Sequence, residues 1–142
     1  MMTRGSYCMV MRLDRETRIP VGKKPPVDFP AGFYCYVGSA MNSLEKRICR
    51  HRSREKKKHW HIDYFLDHAR IVDIKEIESN TKQECGINSD VAEMADETPF
   101  RGFGSSDCRN CKAHLHLFRE DPSDRLDRLV EKWKGSSETT KE

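Results

Sequence analysis

Apolar and polar residues fall into short blocks with two different periods. SYCMVMRL (6–13) is bounded by Gly5 and a charged turn and reads as a strand. GFYCYVGS (32–39) is a second, aromatic-rich strand. Residues 14–31 hold four prolines and a glycine and form a connection, in which RIPVG offers a short extra strand. Strand, connection, strand predicts an antiparallel hairpin with Tyr7 and Tyr36 on its two arms.

The period then changes. Leu44 and Ile48 stand at i and i+4, giving a helix its buried stripe, while Arg47, His51 and Arg54 share another face. Asn42 or Ser43 can cap its first turn. HWHIDYFLDHA (59–69) reads as a second helical segment through Ile62, Phe65, Leu66 and Ala69, although the alternation of His61 and Asp63 also suits a strand. RIVDIKEIES (70–79) alternates as a strand. Residues 81–96 look helical despite Gly86, which costs such a helix about 1 kcal/mol relative to alanine. FRGFGSSDCRNC is a loop, AHLHLF a last strand, and PSDRLDRLVEKWK a final helix with Pro122 in its first turn. The predicted fold is α+β, a small, mainly antiparallel sheet flanked by helices. It forms one domain over residues 1–134, followed by a polar, flexible tail over 135–142.

Composition adds three constraints. The 142 residues suit a single modest core. No apolar run is long enough for a bilayer and no secretory leader is apparent, so a cytoplasmic protein without a membrane partner is expected. Six cysteines in that setting point to reduced thiols, with Cys108 and Cys111 open to a metal or a disulfide.

A net charge of only +3 hides one strong local asymmetry. Residues 46–61, KRICRHRSREKKKHWH, carry eight Lys/Arg and three His against one acid, Glu55. Charge runs are most often solvated helix faces. Here Trp60 stands among the cations, and cations neutralise phosphates while aromatic rings stack on bases. Lys46, Arg50, Arg54, Lys56, Lys57, Lys58, His59, Trp60 and His61 are therefore candidate nucleic-acid contacts, with DNA the expected partner and RNA left open.

GSY (5–7), YVG (36–38) and the following SAMNSLEKRICRH resemble the GIY-YIG nuclease superfamily. FYCYVGSA, RHRSREKKKHWHIDYFL and FGSSDCRNCKAHL are similar to a narrower branch of small, mostly archaeal stand-alone domains of uncharacterised function. Two positions depart from the pattern: Ser6 replaces the middle isoleucine of the first motif, and two residues separate the cysteines where one is expected.

The resemblance implies a metal-dependent endonuclease acting on DNA, in repair or recombination, with Tyr7, Tyr36, Arg47, His51 and Glu84 as its catalytic set. It implies one Mg²⁺ or Mn²⁺ held by Glu84, a hard ion that prefers oxygen and keeps several waters. Arg47 would grip the phosphate with its planar fork. Tyr7 would take the proton of the attacking water, provided nearby cations favour the phenolate. Asp90 and Glu93 are rival metal ligands on the same helix as Glu84. Separately, Cys108, Cys111, His114 and His116 are a candidate zinc set, which Cys85 or His61 could complete. Two other readings stand beside the nuclease: a nucleic-acid-binding module that keeps the fold without cutting, and a zinc-stabilised interaction domain. Sequence specificity in so small a domain would need a protein partner.

Overall fold

The computed structural model describes residues 3–21, 25–53, 57–58, 60–97, 103 and 113–139, the last five by backbone alone. The fold is α+β. Four long or central strands, β1 (Gly5–Leu13), β4 (Gly32–Ala40), β5 (Arg70–Glu78) and β6 (Leu115–Phe118), form one antiparallel sheet in the order β5-β1-β4-β6. Strands β2 (Thr17–Ile19) and β3 (Val27–Phe29) make a separate two-stranded ribbon inside the connection, so the extra strand expected near RIPVG exists and has a partner. Helices α1 (Leu44–Arg52), α2 (His61–Leu66), α3 (Glu84–Met94) and α4 (Ser123–Thr139) cover the sheet. Among the described residues, no helix is long and apolar enough to cross a membrane.

Alternation along the strands sorts side chains into two cores. Tyr7, Met9, Met11, Tyr34 and Tyr36 face one way, against Leu44 of α1, Ile62 and Phe65 of α2, and Ile19 and Phe29 of the ribbon. Cys8, Val10, Cys35 and Val37 face the other, against Ile87 and Val91 of α3 and Leu126, Leu129 and Val130 of α4. Tyr7 and Tyr36 thus share a face because both strands are in register, Tyr7 opposite Gly38 and Met9 opposite Tyr36.

Local features resolve the alternatives left open by the sequence and in places depart from expectation. The α1 cap is Ser43, whose Oγ accepts the Lys46 N–H at 3.1 Å. Residues 61–66 are helical, which settles the ambiguity around His61 and Asp63. Helix α4 runs on through Thr139, five residues into the stretch expected to be flexible. Gly86 is tolerated in α3 because Trp133 of α4 lies against it: a Cβ there would come within 2.5 Å of the indole. Gly38 and Ser39 lie within β4, and the chain turns at residues 41–43.

Candidate active site

Tyr7 is the centre of a compact cluster. Its hydroxyl lies 2.6 Å from His51 Nε2, and both residues are buried. Ring centroids of Tyr7 and His51 are 5.4 Å apart, and those of Tyr7 and Tyr36 6.3 Å. This proximity follows from topology, since β1 and β4 are neighbours and α1 leaves the end of β4 and folds back over the same face. Gly38 makes the fit possible: a Cβ at that position would stand 2.5 Å from Tyr7 Cζ and Oη. Its φ is not positive, so close approach rather than backbone freedom requires glycine there.

Charge surrounds the phenols. Burial pushes the Tyr7 pKa well above the ordinary phenol value; the charge and hydrogen bond of Arg47 pull it down, and Glu84 and Asp63 push it further up. Tyr36 is raised for the same first reason, with Tyr7 and Glu84 adding to it. The expectation that neighbouring cations favour the phenolate is therefore reversed in this state, because desolvation outweighs the guanidinium. A protonated Tyr7 donates its O–H to His51 Nε2.

Arg47 is fixed from two sides. Its Nη1 donates to the Ser39 carbonyl at 2.9 Å, and its guanidinium lies 4.4 Å from the Trp60 ring centroid. Trp60 is also covered by Arg50, at 4.2 Å. Arg50 in turn makes a two-pronged bond to Asp63, with Nη1 to Oδ1 at 2.8 Å and Nη2 to Oδ2 at 2.9 Å. Asp63 has no exposed side-chain surface and also accepts the Trp60 N–H at 2.9 Å. Arg50, Trp60 and Asp63 thereby form a brace that ties α1 to α2 and seats Arg47. Arg50 and Trp60, candidate nucleic-acid contacts by composition, are thus engaged within the fold. Asp63 as the third residue of a helix, three after the capping position, was the signal for its backbone bond.

Glu84 is the first residue of α3, on the opposite layer, yet it meets the cluster at the end of β4. Its Oε2 lies 2.9 Å from His114 Nδ1, and the Ser39 side chain is a second hydrogen-bond partner. Burial alone would raise the Glu84 pKa, but the hydrogen bonds from His114 and Ser39 outweigh it and hold the carboxyl below its ordinary value. Asp90 is turned away, accepting Lys132 Nζ and Trp133 Nε1 of α4, each at 2.9 Å. Glu93 is exposed. Of the three acids weighed on this helix, only Glu84 acts on the tyrosines' protonation.

Around this cluster, Lys46, Lys57 and Lys58 are exposed, Lys58 in an ion pair with Asp67. His61 packs its ring on Phe103 with centroids 5.5 Å apart. Arg54, Lys56 and His59 lie outside the described residues, as do Cys108 and Cys111. The histidines of the candidate zinc set have other partners: His114 holds Glu84, and His116 Nε2 is 2.6 Å from Asn88 Oδ1. Cys85 is disulfide-bonded, so it supplies no thiolate to a metal. Among the described residues, no group of three or more His, Cys, Asp or Glu is placed to hold a metal ion.

A model of one protein family, described as a domain of unknown function, DUF123, matches residues 6–135. No curated protein and no solved structure matches the chain.

Proposed function

The chain belongs to the DUF123 domain family, and on the geometry of its phenol cluster we propose that it is a metal-dependent endonuclease of GIY-YIG type, hydrolysing phosphodiester bonds in DNA. The observation that carries this reading is the buried 2.6 Å contact between Tyr7 and His51, with Arg47 and Glu84 acting electrostatically on the same phenol. A phenol paired to an imidazole can pass on a proton. In the proposed reaction the Tyr7 oxygen accepts a proton from the attacking water while its own goes to His51 Nε2. Arg47, seated by Ser39 and Trp60, binds a non-bridging phosphate oxygen. Tyr36 packs beside Tyr7, its ring centroid 6.3 Å away, and lines the same wall.

Glu84 fits a Mg²⁺ or Mn²⁺ ion. It is an ionised, partly exposed carboxylate with Oε2 engaged by His114, and a hard ion needs no more protein than one carboxylate beside waters and a phosphate. When bound, the ion neutralises charge on the phosphate and its leaving oxygen. The exposed Lys46, Lys57 and Lys58 extend the cationic surface along the nucleic acid.

One observation favours a second reading. Tyr7 is 1% exposed and held protonated by burial, as suits a module that binds nucleic acid without cutting it. A single experiment separates the two. The full chain is incubated with Mg²⁺ or Mn²⁺ and nicked, branched or single-stranded DNA, beside Arg47→Ala, Glu84→Ala and Tyr7→Phe. Cleavage by the wild type that all three variants lose supports the nuclease. Binding with no product, or equal product from every variant, refutes it.

A further inference from the structure

His114 immediately precedes β6 and is tied to β4 twice. Its carbonyl accepts the Val37 N–H at 3.0 Å, and its side-chain Nδ1 lies 3.0 Å from the Val37 carbonyl. The same Nδ1 is 2.9 Å from Glu84 Oε2. A backbone carbonyl only accepts, and so does an ionised carboxylate. Nδ1 must therefore carry a proton and share it between the two. The His114 side chain is 1% exposed, and its Nε2 has no hydrogen-bond partner among the described residues. An imidazole with one nitrogen doubly engaged and the other idle is set for orientation.

Ser39 completes the arrangement from the other layer. Its carbonyl receives Arg47 Nη1, while its side chain bonds Glu84. Strand alternation explains the double reach: Gly38 faces Tyr7, so the Ser39 side chain points to the α3 side of the sheet. One residue thus touches both the arginine of α1 and the carboxylate of α3.

We propose that His114 and Ser39 are positioning residues forming a clamp, in which the Nδ1–H of His114 and the hydroxyl of Ser39 fix the Glu84 carboxylate relative to Arg47 before metal and phosphate arrive. The clamp rests on the metal-dependent reading of Glu84. Partners of a ligating group that orient it in this way typically change metal affinity by about 10–100-fold when lost.

The test uses the full chain and Mn²⁺ alone. Nitrogen NMR of the metal-free protein reads the His114 tautomer, which must be Nδ1–H. Mn²⁺ titration then compares the wild type with Glu84→Gln, His114→Phe, His114→Asn and Ser39→Ala, with thermal midpoints measured in parallel. Asn carries two hydrogens on the nitrogen that replaces Nδ1, one for each acceptor, whereas Phe keeps the ring and loses the donor. His114→Asn should stay within about threefold of the wild type, and His114→Phe should weaken Mn²⁺ at least about tenfold. Ser39→Ala should fall between them while melting near the wild type. An Nε2–H tautomer, or equal affinities for the Asn and Phe variants, would overturn the clamp. Should Glu84→Gln bind Mn²⁺ as the wild type does, the metal reading of Glu84 falls, and the tautomer alone decides the hydrogen-bond geometry.

Discussion

Replacing Gly38 with alanine probes whether the phenol pocket is as tight as its geometry implies. In an unconstrained strand this change should stabilise by about 0.5–1 kcal/mol, because glycine loses the most backbone freedom on folding. Here the added Cβ would lie 2.5 Å from Tyr7 Cζ and Oη and 2.9 Å from Cε1. Ordinary contact begins near 3.4 Å, so the ring must retreat by roughly 1 Å. Tyr7 is buried and bonded to His51, leaving no free space for that movement. Overpacking costs about 1–3 kcal/mol and the disturbed hydrogen bond about 1 more; less the backbone gain, the net loss is about 1–3.5 kcal/mol. For a domain of this size the melting temperature should drop by roughly 3–14 °C. Urea denaturation of Gly38→Ala, Tyr7→Leu and the double variant is the assay, because leucine removes the ring atoms that collide. The alanine should cost almost nothing in the Tyr7→Leu background. A stabilised Gly38→Ala, or the same cost in both backgrounds, would refute the close-approach argument.

Other consequences can be checked independently. Burial lowers the His116 pKa to about 4. The unfolded chain takes up that proton near pH 6.5, so stability is complete above 6.5 and falls by up to roughly 3 kcal/mol as the pH drops toward 4. In denaturation at stepped pH, His116→Gln, which can still donate to Asn88, should flatten the slope. Arg50→Ala strands the buried Asp63 carboxylate and should destabilise by about 2–4 kcal/mol, with a red-shifted Trp60 emission; Lys46→Ala should do neither. If the cationic face tracks phosphates, replacing Lys46, Lys57 and Lys58 with alanine should reduce the salt dependence of duplex binding by up to about 2.7 in log–log slope.

The elements were largely legible in the sequence. β-rich and aromatic-rich runs marked β1 and β4, which are buried on both faces, alternation marked β5, and Leu126, Leu129, Val130 and Trp133 marked the buried side of α4. The β2-β3 ribbon was only half visible, since each strand is three residues long and its pairing is set by the connection around it. At the site, the tyrosines, Arg47, His51 and Glu84 could be named from motif order. Their protonation could not, because the Tyr7 pKa depends on burial that no local pattern encodes. Nor could the roles of Arg50 and Asp63, thirteen residues apart, or of Ser39, His114 and Glu84, which meet only through the tertiary fold. The histidines of AHLHL suggested metal ligands because composition reveals a donor without revealing what already occupies it.

Strand order also grades how readily different parts of the cluster come loose. Tyr7 and Tyr36 hang from β1 and β4, the two inner strands, each hydrogen-bonded along both edges. Glu84 hangs from the first residue of α3, a helix start without a side-chain cap. Amide hydrogen exchange should therefore be slowest beneath the phenols and markedly faster around residues 83–87, since helix ends fray at a fraction of the global unfolding free energy. Order in the carboxylate half of the cluster therefore rests on the His114 contact rather than on the helix start, so its assembly is a local equilibrium distinct from folding.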